Sequence, residues 1–184
     1  MWADDRLFLA GDRYLCPELG STGTRSRHLL AAYDPASDTL DRIDITAAPF
    51  GPRAANALAP IGWTGAEVAL QRRDDPSASL AFFDPSNGDW RLGAAPNCKA
   101  HHDAYEQQAW LGDRFVLACG NDAVEVYDVA RDAWQTIEAG RSPLNTRAGS
   151  SLCWTGSKLI VWSGTPNKKG NPTPATGAAL LPDR

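Results

Sequence analysis

Polar and basic residues recur at one place in this sequence, about 7 to 13 residues before each of three tryptophans. Arginine presents a bidentate fork that matches a carboxylate, and asparagine offers both a donor and an acceptor to hydroxyl groups. Converging groups of this kind would bind an anionic or hydroxyl-bearing ligand. The candidate ligand-binding residues are Arg53, Asn56, Asn97, Lys99, His102, Asn145 and Arg147. The alternative role for them is structural, as caps of strand ends and donors to loop carbonyls.

The segment from Cys98 to Asp103 superficially resembles a metal site, because it contains the adjacent histidines His101 and His102. Neighbouring residues of an extended segment point to opposite sides, so both rings are not expected to hold one ion. The only other histidine is His28. We therefore predict no metal and no cofactor.

Catalytic motifs are weak in this sequence. It has neither a Gly-x-Ser-x-Gly nucleophile elbow nor a phosphate-binding glycine loop followed by a helix. Two acidic pairs, Asp74 with Asp75 and Asp103 with Glu106, are more typical of solvated turns than of acid/base catalysis. No catalytic residue is assigned, and an activity as an enzyme is not favoured.

Cysteine spacing gives no sign of a metal site either. Three disulfide connectivities are open to the four cysteines, Cys16, Cys98, Cys119 and Cys153, although free thiols are expected. Cys119 and Cys153 fall in apolar strands, where cysteine behaves as a small buried hydrophobe.

Overall charge and hydropathy exclude several classes of protein. The 184 residues carry 18 Lys and Arg against 22 Asp and Glu, a net charge of −4, which disfavours nucleic acid or an anionic membrane surface as partner. No apolar run approaches the roughly 20 residues of a spanning helix. The start, residues 1–6, lacks the basic and apolar regions of a signal peptide. Localisation stays open, including an extracytoplasmic one if the N-terminus is truncated.

The elements that position these residues are given by repeats. One pattern, a tryptophan followed by a turn and an apolar run, starts at Trp2, Trp63, Trp110 and Trp154, at intervals of 61, 47 and 44 residues. A second pattern lies in phase with it and contains Tyr-Asp or Phe-Asp followed by a turn. Its three copies begin at Tyr33, Phe83 and Tyr127.

Both patterns predict tight turns between strands. Thr155-Gly156-Ser157-Lys158 is typical of a turn with glycine at positive φ, and Asp34-Pro35 of one in which the aspartate binds the following backbone. Each unit then has four strands and no helix. Strand 1 ends at the tryptophan and strand 3 at the Tyr-Asp or Phe-Asp pair. Strand 2 covers about 6–10, 66–71, 114–119 and 158–163, and strand 4 begins near Leu40, Trp90 or Trp134.

Antiparallel four-stranded units at this spacing are typical of a β-propeller. The apolar run ending in glycine, then Tyr-Asp-Pro, then tryptophan about six residues later resembles the kelch repeat over nearly the whole chain. The kelch glycine doublet is single here, at Gly11, Gly120 and Gly164. The resemblance implies an all-β, kelch-type propeller of the galactose oxidase/kelch-like class, with units at about 1–46, 47–92, 93–138 and 139–184.

The resemblance also implies an incomplete ring, because kelch-like rings have about six or seven blades and this chain supplies about four. The strand before the Trp2 turn is expected to be missing, and the last unit to contain only its first two strands. A fragment or split gene is the favoured explanation, and a dimer that completes the ring is the alternative. Open blade edges would favour association with another chain.

Strand alternation sorts the loops onto two faces. The predicted long-loop face comprises segments 11–28, 46–56, 72–78, 93–104, 120–122, 139–148 and 164–175. Those segments carry 11 Lys and Arg against 6 Asp and Glu, a net charge of +5, so the remainder of the chain is at −9. That polarity would attract an anionic ligand.

The favoured function is therefore a binding or scaffolding propeller that recognises a protein or an anionic or carbohydrate ligand on the long-loop face. Two alternatives stay open. One is a kelch-type carbohydrate-active enzyme, similar to sialic acid epimerases or, with less support, to galactose oxidase. The other is a non-functional gene fragment.

Overall fold

The computed structural model describes residues 1–11, 29–51, 57–72, 75, 78–97, 108–118, 123–138, 147–148, 151–155, 158–162, 165–166 and 178–180. All elements of this part of the chain are β-strands and turns. None of the described residues forms a helix long and apolar enough to cross a membrane. The chain divides into two compact units, Met1–Gly93 and Ala94–Arg184.

The first unit contains two four-stranded antiparallel sheets, each with its strands in chain order. Sheet I consists of β1 (Trp2–Ala3), β2 (Arg6–Gly11), β3 (Leu29–Asp34) and β4 (Thr39–Arg42). Sheet II consists of β5 (Leu58–Trp63), β6 (Val68–Arg72), β7 (Ala81–Phe83) and β8 (Trp90–Leu92).

The second unit contains a third sheet of the same kind and two smaller ones. Sheet III consists of β9 (Gln108–Trp110), β10 (Arg114–Ala118), β11 (Ala123–Asp128) and β12 (Ala133–Glu138). Sheet IV consists of β14 (Ser151–Trp154), β15 (Leu159–Trp162) and β17 (Ala178–Leu180). A two-stranded ribbon pairs β13 (Arg147–Ala148) with β16 (Thr165–Pro166).

The turns between the first two strands of sheets II and III place glycine where only glycine is comfortable. Gly65 in sheet II and Gly112 in sheet III both have φ +97°, in the left-handed region that favours glycine, whereas the first turn of sheet I has Asp4 at φ +51°. In sheet II the backbone N–H of Thr64 donates to the carbonyl of Glu67 at 3.0 Å. The Thr64 hydroxyl accepts from the Glu67 N–H at 2.9 Å and closes the same turn.

The turns between the last two strands are built by aspartate. The side chain of Asp34 accepts from the Ala36 N–H at 2.8 Å, and that of Asp84 accepts from the Ser86 N–H at 2.8 Å. These are Asx turns, which the sequence predicted at both places.

Every sheet has what we call its tryptophan face, the side that carries the tryptophan at the end of its first strand. In sheet II, Trp63, Val68, Phe83 and Trp90 are opposite one another across the four strands and form one row of this face. Val68 and Phe83 are buried, together with Leu70, which lies two residues along β6 on the same face. Burial of each such side chain contributes about 1.5–3 kcal/mol to folding.

One packing mode occurs in both units. In the first unit, the tryptophan face of sheet II joins a core with Phe8, Leu30 and Ala32 from the opposite face of sheet I. In the second unit, Trp154 of sheet IV packs with Val116 and Val124 on the opposite face of sheet III. Within each unit, the tryptophan face of the later sheet thus covers the opposite face of the earlier sheet.

The predicted all-β class and its four-stranded antiparallel sheets are confirmed, and strands 1 to 4 lie where the repeats placed them. Three details were wrong or missed. A strand does occur before the first turn, because Met1 and Phe8 exchange backbone hydrogen bonds at 2.8 Å. The β17 strand and the β13–β16 ribbon were not foreseen. Cys153 lies in its predicted strand as a free thiol but is exposed, not buried.

Candidate functional site

The predicted ligand-binding residues lie mostly outside the described part of the chain. Arg53, Asn56, Lys99, His102 and Asn145 are all outside it, and so are Cys98, Cys119 and the pair His101–His102. Arg147 is described through its backbone, which pairs with Pro166. Asn97 is described in full. The convergence of the seven residues therefore stays a prediction, and the site is described around Asn97.

Residues 94–97, which precede the predicted loop that contains Lys99 and His102, are attached to sheet III by three hydrogen bonds. The Ala94 N–H donates to Asp132 Oδ1 at 2.8 Å, and the indole Nε1 of Trp134 donates to the Ala94 carbonyl at 2.8 Å. The Asn97 N–H donates to Glu125 Oε2 at 2.9 Å. The segment is held at both ends, and the exposed side chain of Asn97 is presented at the start of the loop.

Glu125 is the centre of this arrangement. Glu125 lies in the middle of the apolar strand β11, and although it is an acidic residue it is 0% exposed. Oε1 accepts from the Thr136 hydroxyl at 2.8 Å, while Oε2 accepts from Asn97. A buried carboxyl group is costly unless it is hydrogen-bonded, and both oxygens have a donor here.

Strand register places Glu125 in a polar row on the tryptophan face of sheet III. Gln108, Leu117, Glu125 and Thr136 are opposite one another on the four strands. The side-chain Oε1 of Gln108 is buried and has no hydrogen-bond partner in the structure as described. A hydroxyl or amine donor would satisfy that oxygen, since a carbonyl oxygen of this type is only an acceptor.

Sequence reasoning missed both Gln108 and Glu125. A signal for Glu125 was present in the sequence. The third strands of sheets I and II have Ala31 and Ala81 at the equivalent position, two residues before the aromatic residue. An acid at that position interrupts an otherwise apolar strand. Gln108 gives no comparable signal, since a polar residue at the start of a strand is ordinary.

An aromatic row lies beside the polar one and supports it. Trp110, Phe115, Tyr127 and Trp134 share one register across sheet III. The Tyr127 and Trp134 ring centroids are 5.1 Å apart, and Phe115 meets Trp134 edge to face at 6.1 Å. The Tyr127 hydroxyl donates to Asp132, the same carboxyl oxygen that accepts from Ala94. The aromatic row therefore also fixes the segment that carries Asn97.

The acids with shifted pKa values belong to turns. The Ala36 N–H holds the pKa of Asp34 below its usual range, and the Ser86 hydroxyl and N–H do the same for Asp84. The Thr46 N–H lowers the pKa of Asp44 in the segment after β4. Each carboxylate stabilises a backbone turn, so these shifts mark structural roles.

A charged pair in sheet II is also structural. Arg91 donates from Nε and Nη2 to the two carboxyl oxygens of Glu67, at 2.7 and 2.6 Å. The guanidinium carbon lies 3.8 Å from the centroid of the Phe82 ring, so the cation is held by a bidentate ion pair and an aromatic face together.

The described residues contain no cluster of three or more His, Cys, Asp or Glu side chains that could hold a metal ion. The segment from Cys98 to Asp103 belongs to the part of the chain outside this description. What the described site offers chemically is hydrogen bonding: an exposed amide at Asn97 and a buried acceptor at Gln108.

No protein-family model and no curated protein matches this chain. Among solved structures, the chain is similar to one described as the structure of YjhT, with a TM-score of 0.57 and 15% sequence identity. The match covers 89% of this chain and 57% of that one. The chain thus spans little more than half the length of the structure it resembles, and at this identity the likeness concerns the fold alone.

Proposed function

We propose that this chain is a segment of a kelch-type β-propeller that binds an anionic, hydroxyl-bearing ligand such as an acidic sugar on its long-loop face. The observation that carries the proposal is the anchoring of residues 94–97. Three hydrogen bonds to sheet III fix the backbone directly before Lys99 and His102, and Asn97 stays exposed. A loop with a fixed base loses less conformational entropy when it binds a ligand.

The kelch assignment itself is supported by the phase of the two sequence patterns and by the likeness of the fold to a longer solved structure. In a propeller, the connection from strand 4 to strand 1 of the next blade enters beside the central channel. Arg53, Lys99, His102 and Arg147 all belong to connections of that type. The +5 charge of the long-loop segments supports an anion as the ligand.

Several polar side chains of the short-turn side have structural partners. Glu67 and Arg91 bind each other, and Asp34, Asp84 and Asp128 bind turn N–H groups. The structural roles of these side chains support the proposal that the short turns stabilise the sheets, whereas the long loops recognise the ligand.

The test is a binding screen of the full 184-residue chain against glucuronic acid, N-acetylneuraminic acid and an oligoglutamate peptide, measured by calorimetry at about 0.15 M salt, where distant charges are screened. We expect the double variant Arg53→Ala/Arg147→Ala to weaken binding of an acidic sugar by about 10-fold or more, because each charge-assisted hydrogen bond contributes about 1.5–3 kcal/mol.

The matched control is Arg6→Ala/Arg131→Ala, which removes the same charge from the start of β2 and from the β11–β12 turn. We expect it to bind within about twofold of the unmodified chain, since screened charges away from the site act weakly. If both double variants lost the same affinity for the acidic sugar, overall charge would explain the loss, and the long-loop site would be refuted. If the chain bound only the oligoglutamate peptide, the proposed ligand would be an acidic protein segment and not a sugar.

A further inference from the structure

The tryptophan face of sheet I is exposed. Trp2 is 58% exposed, Leu9 42% and Leu40 37%. Register places Trp2, Leu7, Tyr33 and Leu40 in one row, and Leu9 follows Leu7 by two residues on the same side of β2. Large apolar side chains on one side of a sheet form a contiguous surface, and such surfaces mark interaction sites.

The equivalent residues of sheet II show what covers a face of this kind. Val68 and Leu70 occupy the positions of Leu7 and Leu9, and both are 0% exposed. They are buried because the opposite face of sheet I lies against them. Sheet IV meets sheet III in the same way through Trp154. In each unit, therefore, the tryptophan face of the later sheet is covered by the opposite face of the earlier one.

In the second unit, an exposed residue lies on the opposite face of sheet IV. Cys153 lies next to Trp154 in β14 and therefore on the opposite face of sheet IV, where it pairs with Ile160. The positions of Cys153 and Ile160 correspond to Ala109 and Val116 in sheet III. Those two residues belong to a core, whereas Cys153 is exposed.

We propose that a second copy of this chain covers the tryptophan face of sheet I with the opposite face of its sheet IV. The contact repeats between chains the packing that both units show within the chain. It is heterologous, since two different faces meet, and such contacts close into rings or continue as a series. This association is independent of the proposed ligand site.

The first test is the mass of the full chain in solution by sedimentation velocity over a range of concentrations. We expect assemblies of two or more copies of the 19.8 kDa chain. The variant Leu9→Asp is expected to shift them to monomer, because it places a charge in the centre of the contact. Ser37→Asp, in an exposed turn of the same sheet, is the control and is expected to leave the mass unchanged.

The second test keeps the apolar surface and probes which faces meet. Leu9→Cys is expected to form an intermolecular disulfide with the native Cys153 of another copy, seen as a dimer band on a non-reducing gel. The band should disappear when Cys153→Ser is added, and Ser37→Cys should not produce it.

The outcomes separate the possible occupants of the face. Assemblies that require Leu9 and cross-link through Cys153 support the contact. A chain that stays monomeric at every concentration overturns it and leaves another polypeptide as the occupant. Cross-linking of Leu9→Cys that persists without Cys153 also overturns it, because two copies would then meet through their sheet I faces.

Discussion

Sheets II and III are built on the same plan, and they differ in chemical character most in the row of residues beside the aromatic ones. Beside the aromatic residues, sheet II places Pro60, Leu70, Ala81 and Leu92 in register, whereas sheet III places Gln108, Leu117, Glu125 and Thr136 there. The apolar row of sheet II needs no partners. The polar row of sheet III needs donors, and it obtains two of them from Thr136 and from Asn97 outside the sheet. The same four-stranded sheet can therefore gain hydrogen-bonding groups when the residues of one row change from apolar to polar.

The strongest way to break this comparison is to give sheet II the acid of sheet III. Ala81→Glu would bury a carboxylate at a fully buried position beside Leu70 and Leu92, with none of the donors that Glu125 has. We expect the free energy of unfolding to fall by about 3–5 kcal/mol. The measurement is urea unfolding followed by tryptophan fluorescence.

The control for this experiment is Ala36→Glu, the same chemical change in an exposed turn of sheet I. It is expected to change stability by less than about 0.5 kcal/mol. Similar unfolding midpoints for Ala81→Glu and Ala36→Glu would show that the row in sheet II tolerates charge, and the contrast between the sheets would disappear.

The converse experiment removes the acid from sheet III. Glu125→Ala leaves the Thr136 hydroxyl and the Asn97 N–H without their acceptor, and we expect a loss of about 2–3 kcal/mol in the free energy of unfolding. Amide hydrogen exchange at Asn97 should become faster, which a purely apolar packing defect would not predict. Asp113→Ala, in the exposed β9–β10 turn, is the control.

If exchange at Asn97 were unchanged in Glu125→Ala, the segment 94–97 would be held by Asp132 and Trp134 alone. The anchoring role of the polar row would then be wrong, even with a large loss of stability.

A smaller effect distinguishes the turns of the sheets. Tyr33 donates to Asp38 Oδ1 at 2.8 Å in sheet I, and Asp38 has φ +54°. Sheet II has Phe83 and Gly88 at these places, and glycine adopts its φ of +81° without support. Where the aromatic residue is tyrosine, the residue in the left-handed region is therefore an aspartate that accepts from the tyrosine hydroxyl. Where it is phenylalanine, which has no hydroxyl, that residue is glycine.

That pairing predicts a titration. The hydrogen bond to Asp38, together with the negative charge of that residue, raises the pKa of Tyr33 above 10. The stabilisation it gives is therefore present below pH 10 and is lost as the pH rises through the raised pKa. Asp38→Gly should bring the pKa of Tyr33 back towards its ordinary value, measured from tyrosinate absorbance.

The same Asp38→Gly change in a Tyr33→Phe background is the reference, and there it should leave the titration curve unaltered. A curve that shifts in that background would assign the effect to another tyrosine.

Much of the frame follows from local sequence. Gly65 and Gly112 mark the first turn because the left-handed conformation selects them, and Asp34 and Asp84 mark the second because their carboxylates bind N–H groups two residues away. Alternation then places the strands between these turns. Interactions of this range are visible in a window of a few residues, and so these strands could be predicted.

The candidate site depends on contacts of longer range. Asn97 and Glu125 are 28 residues apart, and Ala94 and Trp134 are 40 residues apart. No local pattern encodes such pairs. The exposure of Cys153 has the same origin, since its burial depends on whether another sheet lies against β14 and not on the apolar character of β14 itself.

The strand order has a consequence for how the chain folds. In sheets I to III every strand pairs with the strand next to it in the chain, so each sheet is an antiparallel meander. Pairing between strands that are neighbours in the sequence keeps the contacts within each sheet comparatively local, which favours faster formation of the sheet. Within the first unit, sheets I and II depend on each other through their packed faces, so sheet I, whose tryptophan face is uncovered, is expected to lose its order first. A population that has lost only the order of sheet I would still retain its remaining sheets.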